Sequence, residues 1–345
     1  MGDDLRTPGW DAINSALEPI YKGQTPLHWG TAVPYALGGP DPIQGISTYK
    51  RIDPDHWHFV TFGFTELYEK ENEDRSKSGY GFELTLRVVR SEHEDRPPGW
   101  AFGFFQNLGR YVFKTGNTFG VGHHMPLNGP ICQGSDTAIR AIAFLRDPEL
   151  GDFIGENGHA EFLQIVGITE DELDLIKSWN AESFLTEMAK LSPLLLTDLK
   201  RKSVLADSAK AAALQGKADA EGSSSGYSHI DEGRLIAGRP MIWEVGALYV
   251  DSIRRGLKGR IPFARPFHLC GRERTIHMLP GEPVAVTTTD NALTLTLSPA
   301  VAAEMLSTLQ PRRGDYRWGK LPDLVIRVVP TEIKGDGDKV VDVIG

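Results

Sequence analysis

The sequence predicts an α+β protein of two domains, each with a mixed β-sheet flanked by helices. The chain has 345 residues, which suggests two domains on a prior of roughly 150 residues per domain. Apolar residues recur with helical and strand periods in an irregular order, without the regular strand–helix alternation of a parallel-sheet fold. A small, polar, Gly/Ser/Ala-rich stretch at 206–233 separates two such regions.

Composition limits the classes of function. Hydrophobic residues make up 40% of the chain and charged residues 24%, as in a water-soluble globular protein. A net charge of −9 argues against a nucleic-acid binder, which would carry a basic stripe. Apolar runs fall short of the roughly 18 residues of a membrane span, and Met1–Asp4 lacks signal-peptide character. We expect a cytoplasmic chain without a membrane partner. Its two cysteines, Cys132 and Cys270, are too few for a disulfide scaffold.

In the first half, apolar residues at steps of three and four predict two helices. Their faces are Trp10, Ile13, Leu17 and Ile20, and then Trp100, Phe104, Leu108 and Tyr111. Residues 56–64 and the alternating stretch 80–89 predict strands, the second with one buried face. The apolar run 162–168 predicts an interior strand, and Thr169 to Glu172 forms a capping box that opens another helix.

In the second half, strands are predicted at 243–250, 284–289, 293–297 and 324–329, with a helix after Ser298-Pro299. The stretch 206–233 has few large apolar residues to offset its ordering entropy, which predicts a flexible linker. The predicted organisation is therefore an N-terminal domain at 1–205, the linker, a C-terminal domain at 234–332 and a frayed tail at 333–345.

Enzymatic motifs give weak matches. Gly222–Gly226 reads G-x-S-x-G, but a nucleophile elbow needs a preceding strand and a following helix, so a linker is the favoured interpretation. His159-Ala160-Glu161 lacks the P-C-x-x-C half of a zinc deaminase signature. The sequence contains no phosphate-binding or dinucleotide-binding glycine motif. The sequence therefore favours a binding function over an enzymatic one.

His56-Trp57-His58 is the best-motivated metal candidate, because residues two apart on a strand share a face. A His-dependent metal hydrolase built on His56, His58 and His123 is the alternative function. The favoured interpretation is structural, with both imidazoles in an aromatic core and no metal or cofactor bound. A third possibility is a structural protein whose two domains pack rigidly.

Several blocks of the N-terminal half form a specific pattern, and a weaker block follows at Leu257–Phe263. The blocks are Leu37–Pro42, Asp55–Gly63 with Glu66–Tyr68, Ser78–Thr85, Arg110–Phe113 with Asn117–Phe119, and Phe162–Thr169. In their order and spacing over about residues 10–200, these blocks resemble the suppressor of fused family.

The resemblance implies a non-enzymatic module in which two domains form a clamp around a cleft. There it captures an extended segment of a partner protein by β-augmentation. The long disordered insertion of animal members is missing, which suggests a bacterial-type member. Bacterial relatives are thought to include toxin-immunity proteins, so the implied partner is a toxin or a regulatory protein, bound by a monomer.

The implied partner-binding residues are Tyr111, Phe119, Val121 and His123. The family tyrosine that touches the captured peptide falls on Tyr111, and the loop 117–122 has the turn residues of a sheet edge. The family aspartate that pairs with a histidine of that peptide falls on His123. An imidazole does not replace a carboxylate as a partner for histidine, so the captured segment is expected to differ.

Overall fold

A computed structural model describes residues 6–231, 233–272, 274–334, 337 and 339–345. The helices are α1 (Pro8–Tyr21), α2 (Trp100–Thr115), α3 (Glu170–Ser178), α4 (Ala181–Ala189), α5 (Ser208–Glu221), α6 (Val250–Gly259) and α7 (Pro299–Thr308). Among the described residues, no helix combines the length and apolar character needed to cross a membrane.

The first eight strands are β1 (Leu27–Gly30), β2 (Gly45–Ile52), β3 (Asp55–Phe62), β4 (Phe82–Val89), β5 (His124–Pro126), β6 (Ile139–Arg146), β7 (Asp152–Gly155) and β8 (Gly158–Thr169). They form one mixed sheet in the order β1-β2-β3-β4-β8-β6-β5, with β7 paired to β8. Strands β4 and β8 run parallel and the other neighbours antiparallel.

The later strands are β9 (Tyr227–His229), β10 (Arg234–Ile236), β11 (Met241–Gly246), β12 (Phe267–Cys270), β13 (Thr275–Pro280), β14 (Ala285–Thr289), β15 (Ala292–Leu297), β16 (Gly314–Tyr316), β17 (Leu324–Val329), β18 (Thr331–Lys334) and β19 (Val340–Ile344). They form a four-stranded sheet, β10-β11-β17-β16, a five-stranded sheet, β14-β15-β13-β12-β9, and the pair β18-β19. The predicted α+β class with mixed sheets is confirmed.

The chain divides into two compact units. The N-terminal unit contains residues up to Asp174 together with Ala181–Ser208, and the C-terminal unit contains Leu175–Asn180 together with Ala209–Gly345. The division near residue 208 lies close to the start of the predicted linker, but a short segment of α3 and its C-terminal turn joins the C-terminal unit.

The large sheet of the N-terminal unit is covered on both faces. On one face Leu17 of α1 shares a buried cluster with Val60 of β3, and on the other Leu108 of α2 shares one with Phe59. The expectation that β4 has one buried face is wrong, because the polar residues Glu83, Thr85 and Arg87 on its second face are buried as well. When helices cover both faces of a sheet, polar side chains on those faces are shielded from water and need hydrogen-bond partners within the protein.

The core of the C-terminal unit is one apolar cluster. Ile253 of α6 and Met305 of α7 pack in it together with Trp243 of β11 and Leu295 of β15. The helix predicted after Ser298-Pro299 is confirmed, and the Ser298 side chain accepts a hydrogen bond from Val301 N, which caps it.

The described residues of the predicted linker at 206–233 instead include helix α5 and strand β9. Alanine, lysine, glutamine and glutamate are strong helix formers, and Leu214 and Ala218 bury one helical face. The predicted frayed tail is also wrong in part, because β18 pairs with β19 in an antiparallel hairpin. Both predictions failed for the same reason. A segment with few apolar residues still forms regular structure when its helix propensity is high or when it pairs with another strand.

Candidate functional site

Helix α2 positions the first candidate, Tyr111. The helix buries Phe104, Leu108 and Val112 on one side, while Tyr111 lies off that side and is 39% exposed. The helix ends at Gly116, whose positive φ of 73° allows its N–H to bond Val112 O. The chain can therefore turn sharply back toward the sheet at Gly116, shortly after Tyr111.

A stack of three aromatic rings supports Tyr111. Phe119 lies parallel to Phe144 of β6 with ring centroids 4.4 Å apart, and Tyr111 covers the other side of Phe119 at 5.7 Å. Asn117 Nδ2 also donates a hydrogen bond to the Tyr111 hydroxyl at 3.2 Å. These contacts fix the ring at the surface with its hydroxyl in the loop that leads to the sheet.

The structure buries Phe119 and half-buries Val121. Phe119 therefore supports Tyr111, and its own contact with a partner stays a prediction. Val121 packs against the same apolar cluster as Phe119. Of the four predicted residues, only Tyr111 and His123 are exposed, and a partner-binding role for them stays a prediction.

His123 lies where the loop joins the sheet. Its backbone N–H donates to Gly120 O at 3.1 Å, and its carbonyl accepts from Phe144 N at 2.9 Å. The side chain is exposed, and β5 begins at the next residue. Strand β5 is the last strand in the order of the sheet, so Tyr111 and His123 flank a sheet edge.

The sequence did not predict β5. The strand has three residues, and Pro126 removes one backbone donor from it. A proline confined to an edge strand is the usual arrangement, and the Asn128-Gly129 pair after it was the available signal.

The metal site proposed for His56, His58 and His123 is wrong. Strands β3 and β5 are separated by β4, β8 and β6, which places them roughly 19 Å apart at about 4.8 Å per strand. His56 and His58 have ring centroids 6.5 Å apart, and His56 Nδ1 bonds the Pro54 carbonyl at 2.6 Å. Within the described residues no group of three or more metal-ligating side chains comes together.

His58 belongs to a buried polar network, and His56 lies beside it with its ring centroid 6.5 Å from that of His58. The Tyr21 hydroxyl bonds His58 Nδ1, and His58 Nε2 faces Asp147 Oδ2 at 3.5 Å. Arg87 donates to Asp147 Oδ2 at 2.5 Å and Oδ1 at 3.0 Å. Burial lowers the pKa of His56 to about 4, and burial with the nearby Arg87 charge lowers the pKa of His58 to about 4. The imidazoles are therefore neutral core groups, as the structural interpretation predicted.

Two other motifs also have structural roles. Gly222–Gly226 follows helix α5 and precedes strand β9, the reverse of a nucleophile elbow. Ser223 is buried, and its hydroxyl bonds the Lys177 carbonyl at 2.9 Å. His159 lies in the β7–β8 hairpin, where Nε2 is 3.3 Å from Asp152 Oδ2. Neither motif assembles a catalytic group.

Comparison with known proteins identifies the N-terminal unit. The family model of the Suppressor of fused protein (SUFU) matches residues 39–202. Suppressor of fused homolog from Homo sapiens is 34% identical over 209 residues, which cover 56% of this chain and 43% of that protein. The homologue from Mus musculus matches with the same identity and coverage. The match therefore spans less than half the length of these curated relatives.

Solved structures extend the likeness to the fold of both units. The crystal structure of Drosophila Suppressor of Fused matches with a TM-score of 0.79 and 20% identity, covering 95% of this chain and 99% of that one. A crystal structure of the Sufu-Fu complex matches with a TM-score of 0.57 and 31% identity, covering 61% of this chain and 98% of that one. The sequence match over the N-terminal unit, together with this shared fold, places the chain in the suppressor of fused family.

Proposed function

We propose that this chain is a non-enzymatic protein-binding module that captures an extended segment of a partner. The observation that carries the proposal is the exposed pair Tyr111 and His123 at the β5 edge of the N-terminal sheet. An extended peptide that adds a strand to such an edge gains main-chain hydrogen bonds, and neighbouring side chains select its sequence.

The geometry of the edge supports this mode of binding. The stacked rings beneath Tyr111 hold an aromatic surface beside β5, and a preorganised aromatic anchor loses little entropy on binding. Because Tyr111 is partly exposed, both its ring and its hydroxyl are available for contact with a partner, as is common for tyrosines at interfaces. The relation to a Sufu structure solved in complex with Fu is a second support for a protein partner.

His123 sets the expected chemistry of the partner. A neutral imidazole offers one donor and one acceptor, and a protonated one offers two donors. The segment that this edge takes therefore carries an acceptor, such as a carboxylate or a carbonyl, opposite His123. In animal members the resemblance implies an aspartate at the position of His123, and that aspartate would pair with a histidine of the partner segment.

The proposal extends to the class of protein that binds at this edge. A toxin neutralised by a bacterial-type immunity protein and a regulatory protein are the two classes we propose, both met in the cytoplasm by a monomeric chain. Co-expression with the products of neighbouring genes tests the first class. We expect a copurifying complex and protection from toxicity, and loss of both with every neighbour would contradict an immunity role.

The proposed edge is tested by Tyr111→Ala in a binding titration with the partner recovered in this way. Tyr35→Ala is the matched control, because Tyr35 is also exposed (44%) and packs edge-to-face on Phe113 of α2, about 200° around the helix from Tyr111. We expect Tyr111→Ala to weaken binding at least tenfold and Tyr35→Ala to leave it unchanged. Equal affinities for the two variants would contradict the assignment.

His123→Asp tests the specificity of the edge. We expect it to weaken binding of the natural partner and to give measurable affinity for a histidine-bearing extended peptide, since a carboxylate accepts from imidazole. The absence of any gain for that peptide would count against carrying the family's peptide site to this chain.

The two-domain clamp is a separate part of the proposal. Cys132 lies in the N-terminal unit and Cys270 in the C-terminal unit, and both are free and partly exposed. Fluorescent dyes on these two thiols report the distance between the units in the full chain. A clamp predicts that partner binding changes energy transfer between the dyes, whereas unchanged transfer in a formed complex would contradict closure on the partner.

A further inference from the structure

The C-terminal unit contains a pair of histidines on neighbouring strands. The register of β12 and β13 places His268 directly opposite His277, and their Nδ1 atoms are 2.8 Å apart. His268 N–H donates to Gly226 O on the side of β9. The pair is thus of the non-hydrogen-bonded kind, in which cross-strand side chains approach most closely.

Both rings project from the face of the sheet opposite its apolar core. The flanking residues Leu269 and Ile276 are buried in the core of the unit, while His268 and His277 are each partly exposed. Solvent and ions therefore reach the pair, unlike the fully buried His56 and His58.

The 2.8 Å separation suits two nitrogen ligands of one cation. With metal–nitrogen distances of about 2.0 Å, two ligands at right angles are about 2.8 Å apart, and two tetrahedral ligands about 3.3 Å apart. Right-angled nitrogen ligation is typical of Cu²⁺, which also binds nitrogen sites most tightly among the divalent first-row ions. We propose that His268 and His277 form a two-histidine Cu²⁺ site on the outer face of the five-stranded sheet.

The protonation of the pair favours this site. Neutral imidazole is the form that binds metal, and the 2.8 Å contact between the two Nδ1 atoms needs at least one neutral ring to accept the hydrogen bond. The hydrogen bond between the two Nδ1 atoms requires one ring to carry its hydrogen there. Cu²⁺ binding needs that hydrogen to move to Nε2, a change of tautomer without a change of charge.

The coordination sphere stays open. Among the described residues no group of three metal-ligating side chains is assembled, so water completes the sphere around two protein ligands. Arg260 donates to the carbonyls of Ser223 and Pro266, and its charge near His268 opposes a cation. We therefore expect micromolar affinity rather than the tighter binding of a closed site.

The test is a Cu²⁺ titration of the full chain at pH 7.5, followed by electron paramagnetic resonance. We expect the first equivalent to show coupling to two imidazole nitrogens. His268→Gln and His277→Gln should each weaken its binding at least tenfold and remove one nitrogen from the spectrum. His93→Gln, at an exposed histidine in the N-terminal unit, is the control and should bind as the parent chain does.

Two results would overturn the proposal. One is a folded His277→Gln variant that binds the first equivalent as tightly as the parent chain. The other is a parent spectrum that lacks coupling to two nitrogens. If the variants fail to fold, the spectrum of the parent chain with ¹⁵N-labelled histidine still decides, since the coupling pattern changes only if histidine nitrogens bind the ion.

Discussion

The two units hold their cores together by different means. The N-terminal unit buries the charged residues Glu83, Arg87, Asp147 and Glu172. The buried polar residues that the structure describes in the C-terminal unit are the serines Ser223, Ser252 and Ser298, around an entirely apolar cluster. One core thus depends on specific hydrogen-bonded partners and the other on volume and hydrophobicity.

This difference explains where similarity to other proteins lies. Exchanging one member of a buried polar network leaves its partners with fewer hydrogen bonds, whereas an apolar core tolerates exchange if volume and pattern are kept. The family model matches 39–202, within the N-terminal unit. The fold match reaches 95% of the chain at 20% identity.

The largest effect that the comparison predicts is that of Arg87→Leu. Arg87 also bonds Glu149 and Gln164, and its loss leaves Asp147 a buried charge with fewer partners. Removing one partner of a buried ion pair costs about 3–5 kcal/mol. Urea unfolding followed by hydrogen exchange should show this loss in the N-terminal unit alone.

The matched control is Arg327→Leu in the C-terminal unit. Arg327 pairs with Asp315 through two hydrogen bonds on the exposed surface, where ion pairs contribute little. We expect a barely measurable change. A comparable loss of stability in both variants would break the distinction between the two cores.

Acid should destabilise the N-terminal unit first. The pKa of His58 falls from 6.5 to about 4 on folding, so below pH 6.5 the unfolded chain binds protons that the folded chain does not. Stability from this group is complete above pH 6.5 and is lost as the pH falls toward 4, by about 3 kcal/mol. Asp147, whose pKa contacts with His58 and Arg87 hold well below its usual range despite burial, adds a loss at still lower pH.

Glu83 acts in the opposite direction. Burial raises its pKa, although Thr61, Gly63 and Thr65 donate hydrogen bonds to it, so protonation on acidification favours the folded state. His58→Gln removes the contribution of His58 and should reduce the pH dependence of unfolding between pH 7 and 4, while His56, whose pKa is also about 4, keeps its own contribution. An unchanged slope would contradict a neutral buried His58.

Removing one methylene from the apolar core should lower the free energy of unfolding by the same amount at every pH. Ile276→Val removes one methylene from a fully buried side chain of the C-terminal unit, and such changes cost about 1 kcal/mol. Ile142→Val is the equivalent deletion in the N-terminal unit. Thermal unfolding at pH 7 and 5 should show similar losses for both, and a pH-dependent loss for Ile276→Val would contradict a purely apolar core.

A small effect on stability is expected for Tyr111→Ala, well below that of Arg87→Leu. The exposed ring loses its stack on Phe119 and the bond from Asn117, which together contribute about 1 kcal/mol. A residue of the core would instead cost roughly 3 kcal/mol. Calorimetry of Tyr111→Ala beside Tyr35→Ala should give melting temperatures within a few degrees of each other.

Elements with strong periodicity were predictable. The Trp100–Leu108 pattern and the alternation along β4 correspond to α2 and β4, because one apolar face fixes each period. Half of the predicted capping box forms: Thr169 N donates to Glu172 Oε2 at 2.9 Å, whereas Glu172 N donates to Asp171 Oδ1 at 3.1 Å and not to the Thr169 hydroxyl. The burial of Arg87 and Asp147 was not predictable, since a strand pattern does not reveal what covers its polar face.

The candidate site was predictable only in part. The resemblance identified Tyr111 and His123, which the structure leaves exposed. The packing of Phe119 was not predictable, because a loop composition of turn residues does not reveal that its ring stacks on both Tyr111 and Phe144. Strand β5 escaped prediction because three residues carry no period, and its position follows only from pairing with β6.

The central claim is that a partner segment binds at the β5 edge. Amide hydrogen exchange of the full chain, with and without the partner recovered by co-expression, tests it most directly. We predict slower exchange across 117–127 in the complex, where an added strand would pair, with little change along β1 at the opposite edge of the same sheet. Protection confined to β1 or to other segments, with 117–127 exchanging as in the free chain, would contradict the claim.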